Sequence, residues 1–251
     1  MEEAKRFIDT HSHIVFGADD GAQSLREAID LLKLDREEGA FAVFATPHYG
    51  RENGFAPDAA MVREKFELLK EKAAEEVPEI ELYLGTEWYC AWDLGDRVHR
   101  RDAFRMNDTD YMLCEFLEYG QVYETCEKIS CNLKELIRRG FRPVLAHPER
   151  YRAMQEDRER LRELWEAGVL MQVNAYDLYL NSKARTRETA QWLATERMIS
   201  FIGSDMHGTR PGKKGPRLKE GLRWLYEHTD EEYADAVAFG NAEKLFLKKG
   251  E

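Results

Sequence analysis

His11-Ser12-His13 near one end of the chain and Asp205-Met206-His207 near the other each carry two metal-binding side chains at i and i+2. On an extended strand those positions share a face, so each pair can reach one cation together. Between them, single residues of the same chemistry follow short apolar runs. His48 follows Phe41 to Thr46, Glu87 follows Ile80 to Leu84, Glu115 follows Tyr111 to Leu113, His147 follows Val144 to Ala146, and Asn174 follows Leu170 to Val173. A carboxylate in such a place is costly to bury unless a cation neutralises it. Asp19-Asp20-Gly21 adds an acid that a tight turn can return to the first histidine pair. Spacing does not separate Asp19 from Asp20; Asp20 is chosen here. Of the remaining histidines, His99 lies in the charged segment Asp96 to Arg101 and is read as solvated, and His228 is read as a helix end. The pattern implies a multinuclear metal site suited to hydrolysis.

These side chains converge only if the apolar runs are parallel strands of one barrel, whose C-terminal face then carries the chemistry. The intervening segments read as the helices such a barrel needs. Ser24 with Glu27 has capping-box spacing, and the helix it opens runs to Gly39, a C-terminal glycine. Further helices are expected over Asp58 to Glu76, Thr125 to Arg139, Asp157 to Ala167, Lys183 to Thr195, Pro216 to Glu227 and Glu231 to Phe239. About seven β-α units result, so the expectation is an α/β fold. Its form would be a distorted (β/α)7 TIM-like barrel, a single domain over residues 1–251.

Composition narrows the partners. Hydrophobic residues make up 43% of the 251, enough for a sizeable core. A mean hydropathy of -0.63 and the lack of a long uncharged apolar run argue against a transmembrane helix. The start, Met1 to Arg6, lacks the apolar core of a signal peptide, so a cytoplasmic protein without membrane insertion is expected. Cys90, Cys114, Cys126 and Cys131 fall at no zinc-ribbon or redox spacing and are read mostly as buried thiols. A net charge of -11 argues against duplex nucleic acid as substrate.

Taken in order, His11-Ser12-His13, Asp19-Asp20-Gly21, Thr46-Pro47-His48, Glu87, Glu115, His147-Pro148-Glu149-Arg150-Tyr151 and Ser204-Asp205-Met206-His207 resemble the polymerase-and-histidinol-phosphatase (PHP) superfamily. The resemblance is greatest to its bacterial capsule-type metal-dependent protein-tyrosine phosphatases, and it covers essentially the whole chain. It implies a trinuclear centre, with manganese expected and iron, zinc or magnesium as alternatives; mixed imidazole and carboxylate ligands suit these better than calcium. It further implies that His11, His13, Glu115 and Asp205 hold one ion, that Glu115, His48 and His147 hold a second, and that Asp20, Glu87 and His207 hold the third. The substrate implied is phosphotyrosine on a bacterial tyrosine kinase of exopolysaccharide synthesis. Clustered divalent cations make hydroxide available near neutral pH for in-line attack on phosphorus, so no protein nucleophile is needed. In keeping with that, none of the cysteines has arginine at the sixth following position, where Asp96, Gly120, Asn132 and Ile137 stand instead.

Arg150 and Arg210 are the candidates for gripping phosphate, since a guanidinium donates two parallel hydrogen bonds. The alternatives are an Arg150 salt bridge to Glu149 or another nearby acid, and a solvated loop for Arg210 within Thr209 to Gly215. Three departures from the family pattern touch the mouth. Trp88 to Trp92 and Ala175 to Tyr179 are more aromatic, and Arg210 lies closer to His207. Two other readings fit the same residues: a phosphoesterase acting on a small phosphate monoester, and a non-catalytic kinase-docking protein, which would bind metal without turnover.

Overall fold

A computed structural model describes residues 6–50, 56–90, 103–119, 122–179, 183–212 and 214–247. Ala91, Trp92, the segment 96–101 with His99, and Lys213 lie outside the described residues. The strands are β1 (Phe7–Ser12), β2 (Ala40–Ala45), β3 (His48–Tyr49), β4 (Glu81–Leu84), β5 (Glu87–Tyr89), β6 (Tyr111–Glu115), β7 (Glu118–Tyr119), β8 (Val122–Tyr123), β9 (Arg142–Ala146), β10 (Leu170–Asn174) and β11 (Phe201–Gly203). They form two parallel sheets, ordered β1-β2-β4 and β11-β10-β9-β6-β5-β3, with an antiparallel β7-β8 ribbon beside them. A parallel bridge from Ser12 to Met206 joins the two sheets. There Asp205 N–H donates to His11 O at 2.8 Å and His13 N–H to Met206 O at 3.0 Å.

Two expected strands are each interrupted. Pro47 has no N–H to give a ladder, so the pairing stops at Ala45 and resumes at His48; β2 runs beside β4, and β3 beside β5. The second break lies at Gly85-Thr86, between β4 and β5. These breaks place His48 and Glu87 opposite each other in register.

Side chains alternate between two cores along the curled sheet, as the two-residue strand period requires. Ile8, Ala42, Phe44, Leu113, Val144, Ala146 and Phe201 share one cluster with Phe246. Phe7, Val43, Ala45, Met112, Leu145 and Ile202 face the helices in the other. Phe246 stacks on Phe201 at 4.6 Å and meets Phe44 and Tyr111 edge-on at 5.3 Å, so the C-terminal segment contributes to the inner core.

The helices form close to where their caps predict. Ser24 accepts from Glu27 N and Gly39 takes φ 119° at the ends of α1 (Leu25–Glu38). Asp58 caps α2 (Ala59–Glu76) and Thr125 caps α3 (Cys126–Arg138). α3 buries Ile129, Leu133 and Leu136, a stripe worth about 1.5–3 kcal/mol per side chain. Then follow α4 (Arg152–Glu156), α5 (Glu159–Glu166), α6 (Ala175–Tyr179), α7 (Ala184–Thr195), α8 (Lys219–His228) and α9 (Glu231–Asp235). The short α4, α6 and the β7-β8 ribbon were not expected, and the helix expected to reach Phe239 continues from α9 in π-helical turns. No described helix is long and apolar enough to cross a membrane.

Candidate metal centre

His11 and His13 would alternate faces with their neighbours on a regular strand, but β1 is irregular between Asp9 and Ser12. Asp9 Oδ1 accepts His11 N–H within that irregularity, at 3.1 Å. Both imidazoles then turn into the cluster, and their Nε2 atoms stand 3.1 Å apart. Two other ligand candidates leave ordinary backbone: His147 has φ 35° and Asp205 has φ 53°, left-handed conformations that non-glycine residues adopt at a cost. Glycine is required on two sides. A Cβ on Gly21 would lie 2.1 Å from His13 O, and one on Gly203 would lie 2.7 Å from His11 Cβ.

Glu87, fully buried, stands at the middle. Its Oε1 is 2.9 Å from His147 Nε2, and its Oε2 is 2.7 Å from His48 Nδ1, 3.4 Å from His11 Nε2 and 3.5 Å from His13 Nε2. Glu115 is placed against His48 at 3.5 Å and His147 at 4.0 Å. Glu87 has more imidazole neighbours than Glu115, because β5 pairs Glu87 with Leu113, two residues before Glu115 on β6. Asp205 Oδ1 lies 3.4 Å from His13 Nε2 and from His207 Nδ1, and 3.8 Å from His11 Nε2. Asp20 Oδ1 is 3.6 Å from the Nε2 atoms of both His48 and His207. Asp19 instead accepts from His13 Nδ1 at 2.7 Å and His48 N at 2.9 Å. All nine residues expected as metal ligands are thus drawn to one place.

Arg150 is tied to two acids, donating to Asp177 and Asp205 at 2.6 Å each. Arg210 donates to Glu27 at 2.9 Å and to Gly21 O at 2.8 Å, behind the turn that carries Asp20. The surrounding layer went unread in the sequence: Asp9, Gln172, Asp177 and Lys214. Gln172 had a signal, since it and Asn174 form a polar i, i+2 pair on one face of an otherwise apolar strand.

That layer decides whether the residues fit a cation. Asp205 Oδ2 accepts from Asn174 Nδ2 at 3.1 Å, and Asn174 Oδ1 accepts from Gln172 Nε2 at 2.9 Å. Gln172 Oε1 is left to accept from His11 Nδ1 at 2.8 Å. Asp19 takes the Nδ1 proton of His13 in the same way. When neutral, His11 and His13 turn bare Nε2 lone pairs toward each other, toward the buried Glu87 Oε2 and toward Asp205 Oδ1. Such an array of acceptors needs positive charge between its members. Without an ion, protons meet part of that need. Burial lowers the His11 and His13 affinity for protons, yet Glu87 and Asp19 outweigh it and raise both above the ordinary range. Burial raises Asp205 and Glu87, yet Lys214 and Arg150, and His11 and His48, hold them well below the usual carboxylate range. Burial, with His13 adding to it, lowers His207 to about 3.

Over residues 7–247 the chain matches the family described as capsular polysaccharide synthesis, CpsB/CapC. It is 27% identical over 245 residues to the tyrosine-protein phosphatase CpsB of Streptococcus agalactiae, covering 95% of this chain and 97% of that protein. It is 28% identical over 204 residues to the tyrosine-protein phosphatase YwqE of Bacillus subtilis, covering 81% and 78%. Its fold superposes with a TM-score of 0.84 on a chain from the crystal structures of the metal-dependent tyrosine phosphatases YwqE of Bacillus subtilis and CpsB of Streptococcus pneumoniae. The identity there is 25%, and 97% of this chain and 95% of that one are covered.

Proposed function

The chain belongs to the capsular polysaccharide synthesis family CpsB/CapC, and on that premise we propose that it is a metal-dependent protein-tyrosine phosphatase. The observation that carries the reading is the pair of facing Nε2 atoms of His11 and His13, each ring fixed at Nδ1 by its own partner. Counting β2 with β3 and β4 with β5 as interrupted single strands gives seven parallel strands, which supports the (β/α)7 barrel we adopt for residues 1–251. We assign His11, His13, Glu87 and Asp205 to one ion, Glu87, Glu115 and His147 to a second, and Asp20, His48 and His207 to a third. The distances around Glu87 and Asp20 support this division. Manganese is the metal we expect.

Divalent ions held there would acidify water for attack on phosphorus and take up charge on the phosphoryl oxygens. The protein's own groups do the rest. Arg150, fixed by Asp177 and Asp205 and still 23% exposed, is assigned to grip a phosphoryl oxygen. Arg210 can join it only by leaving Glu27, so its assignment to phosphate is the weaker one. Asp19 and Gln172 hold the tautomers of His13 and His11. The leaving group of phosphotyrosine is a phenolate with a reference pKa of about 10, so departure needs little protonation. That suits a site whose His207 is neutral across the physiological range. The protein substrate we assign is a tyrosine kinase of capsule synthesis, met in the cytoplasm.

The test is elemental analysis of the purified protein beside hydrolysis of a phosphotyrosyl peptide and of small phosphate monoesters, repeated with His11→Ala. Metal and peptide hydrolysis are expected to be lost together. Unchanged hydrolysis in His11→Ala would remove the assignment, and preference for a small monoester would move the substrate to that class.

A further inference from the structure

Asp205 Oδ2 is the most heavily used oxygen of the centre. It accepts from Arg150 Nη1 at 2.6 Å, Lys214 Nζ at 2.7 Å and Asn174 Nδ2 at 3.1 Å. Two of those donors are full cations, and they repel each other across a single atom. The two are held differently. Arg150 has a second carboxylate, Asp177, at 2.6 Å and is mostly buried. Lys214 has Asp205 as its ion-pair partner among the described residues, and its side chain is 43% exposed. Its backbone is nonetheless fixed, because Lys214 O accepts His207 N–H at 2.8 Å and Gly208 N–H at 3.2 Å. A flexible, exposed ammonium is therefore anchored by its main chain directly beside His207 and Asp205.

We propose that Lys214 is a substrate-binding cation that exchanges Asp205 for a phosphoryl oxygen when a phosphate monoester arrives. Release costs Asp205 little, because Arg150 and Asn174 stay on the same oxygen. The ammonium is suited to the exchange, since its three donors on a long stem need no fixed fork geometry, unlike a guanidinium. Arg210, by contrast, is engaged with Glu27 and Gly21 O, so this loop presents its lysine to the mouth in the place where an arginine was expected. The inference rests on the phosphatase reading.

The experiment compares metal-loaded wild type with Lys214→Met and Lys214→Arg in three measurements: metal content, calorimetric titration with inorganic phosphate, and kcat and KM on a phosphotyrosyl peptide. Lys214→Met is expected to keep its metal, to bind phosphate about ten-fold more weakly and to raise KM in step, with kcat changed less. Lys214→Arg, which keeps the charge, should recover most of the loss. Unchanged phosphate affinity in Lys214→Met overturns the proposal. So does loss of metal from that variant, which would make Lys214 a brace for Asp205 instead. If the wild type hydrolyses no phosphate monoester, the phosphatase reading fails, while the phosphate titration still decides the role of Lys214.

Discussion

The Asp9 carboxylate accepts the Ser204 backbone N–H at 2.9 Å and the Ser204 hydroxyl at 2.5 Å. These residues stand 195 positions apart, and Asp9 Oδ1 also accepts His11 N–H. One buried acid thus sets the register between the strand that delivers His11 and His13 and the turn that delivers Asp205 and His207. Ser204 completes the link by accepting Met206 N–H at 3.1 Å. Asp9 has no contact with the proposed ions and yet governs where four of their ligands sit.

Asp9→Ala should therefore cost stability and metal together. It leaves two buried N–H donors, of Ser204 and His11, without an acceptor, while the Ser204 hydroxyl keeps His11 O at 3.3 Å; at about 1–3 kcal/mol each the loss in unfolding free energy should be about 2–6 kcal/mol. Asp9→Asn keeps an acceptor for the two N–H groups and should be much milder. Burial pushes the Asp9 carboxyl up to about 6. The folded protein then keeps a proton that the unfolded chain releases near pH 3.8, so this group's contribution to stability falls as pH rises from about 4 to 6. Asp9→Asn should show less of that decline, the remainder belonging to the buried Asp35 carboxyl, which is raised beside it. Urea unfolding of the metal-free proteins at pH 4.5 and 6.5 reads the difference, and equal pH dependence in the two would refute the placement of that proton.

The ligand segments were legible because each combines a strong local signal, an apolar run, with a side chain whose chemistry has few other uses in such a place. Their distribution among ions was not. Which of Glu87 and Glu115 lies deeper depends on a two-residue offset between β5 and β6, which no spacing along the chain encodes. Asp9 was hidden for a related reason: it sits in what reads as an apolar run, and only the irregularity of β1 reveals its partner. The role of Phe246 was likewise invisible, since a lone aromatic near the C-terminus carries no period. Helix limits came through well at Ser24, Gly39, Asp58 and Thr125, where capping chemistry is local.

Gly21→Ala is the sharpest steric test of the Asp19-Asp20 turn. The added methyl would meet His13 O at 2.1 Å, a backbone atom that cannot swing aside. Either the turn opens, withdrawing Asp20 and Asp19 from His48 and His13, or β1 shifts. Expected are a melting temperature lower by several degrees, from a loss of about 1–3 kcal/mol, and loss of part of the bound metal by elemental analysis. Full metal content at wild-type stability would mean that the turn is looser than this geometry.

Gln172→Leu removes the acceptor that keeps the His11 proton on Nδ1 while leaving all nine proposed ligands in place. His11 is then free to carry its proton on Nε2, the atom that faces His13. Loss of a partner of this kind typically weakens metal affinity about 10–100-fold, and the same is expected here. Competition with a chelator of known affinity measures it. Gln172→Glu, which still accepts from Nδ1, should lose less, and equal loss in both variants would assign Gln172 to packing instead.

Metal uptake should release protons, and should do so above neutral pH. A histidine with an ordinary pKa near 6.5 is already bare at pH 7.5 and gives up almost nothing to an incoming ion. Burial works to keep His13 bare, but the Asp19 carboxylate on its Nδ1 outweighs burial and raises the group well above the ordinary value. The metal-free site therefore holds a proton that an ion must displace, and apparent affinity should fall up to about ten-fold for each pH unit lost below that raised pKa. Calorimetric titration at pH 7.5 in two buffers of different ionisation enthalpy counts the protons released. The wild type should release close to one or more, and Asp19→Asn, with the carboxylate charge removed, should release fewer. Zero release from the wild type would mean that His11 and His13 already face each other as neutral rings.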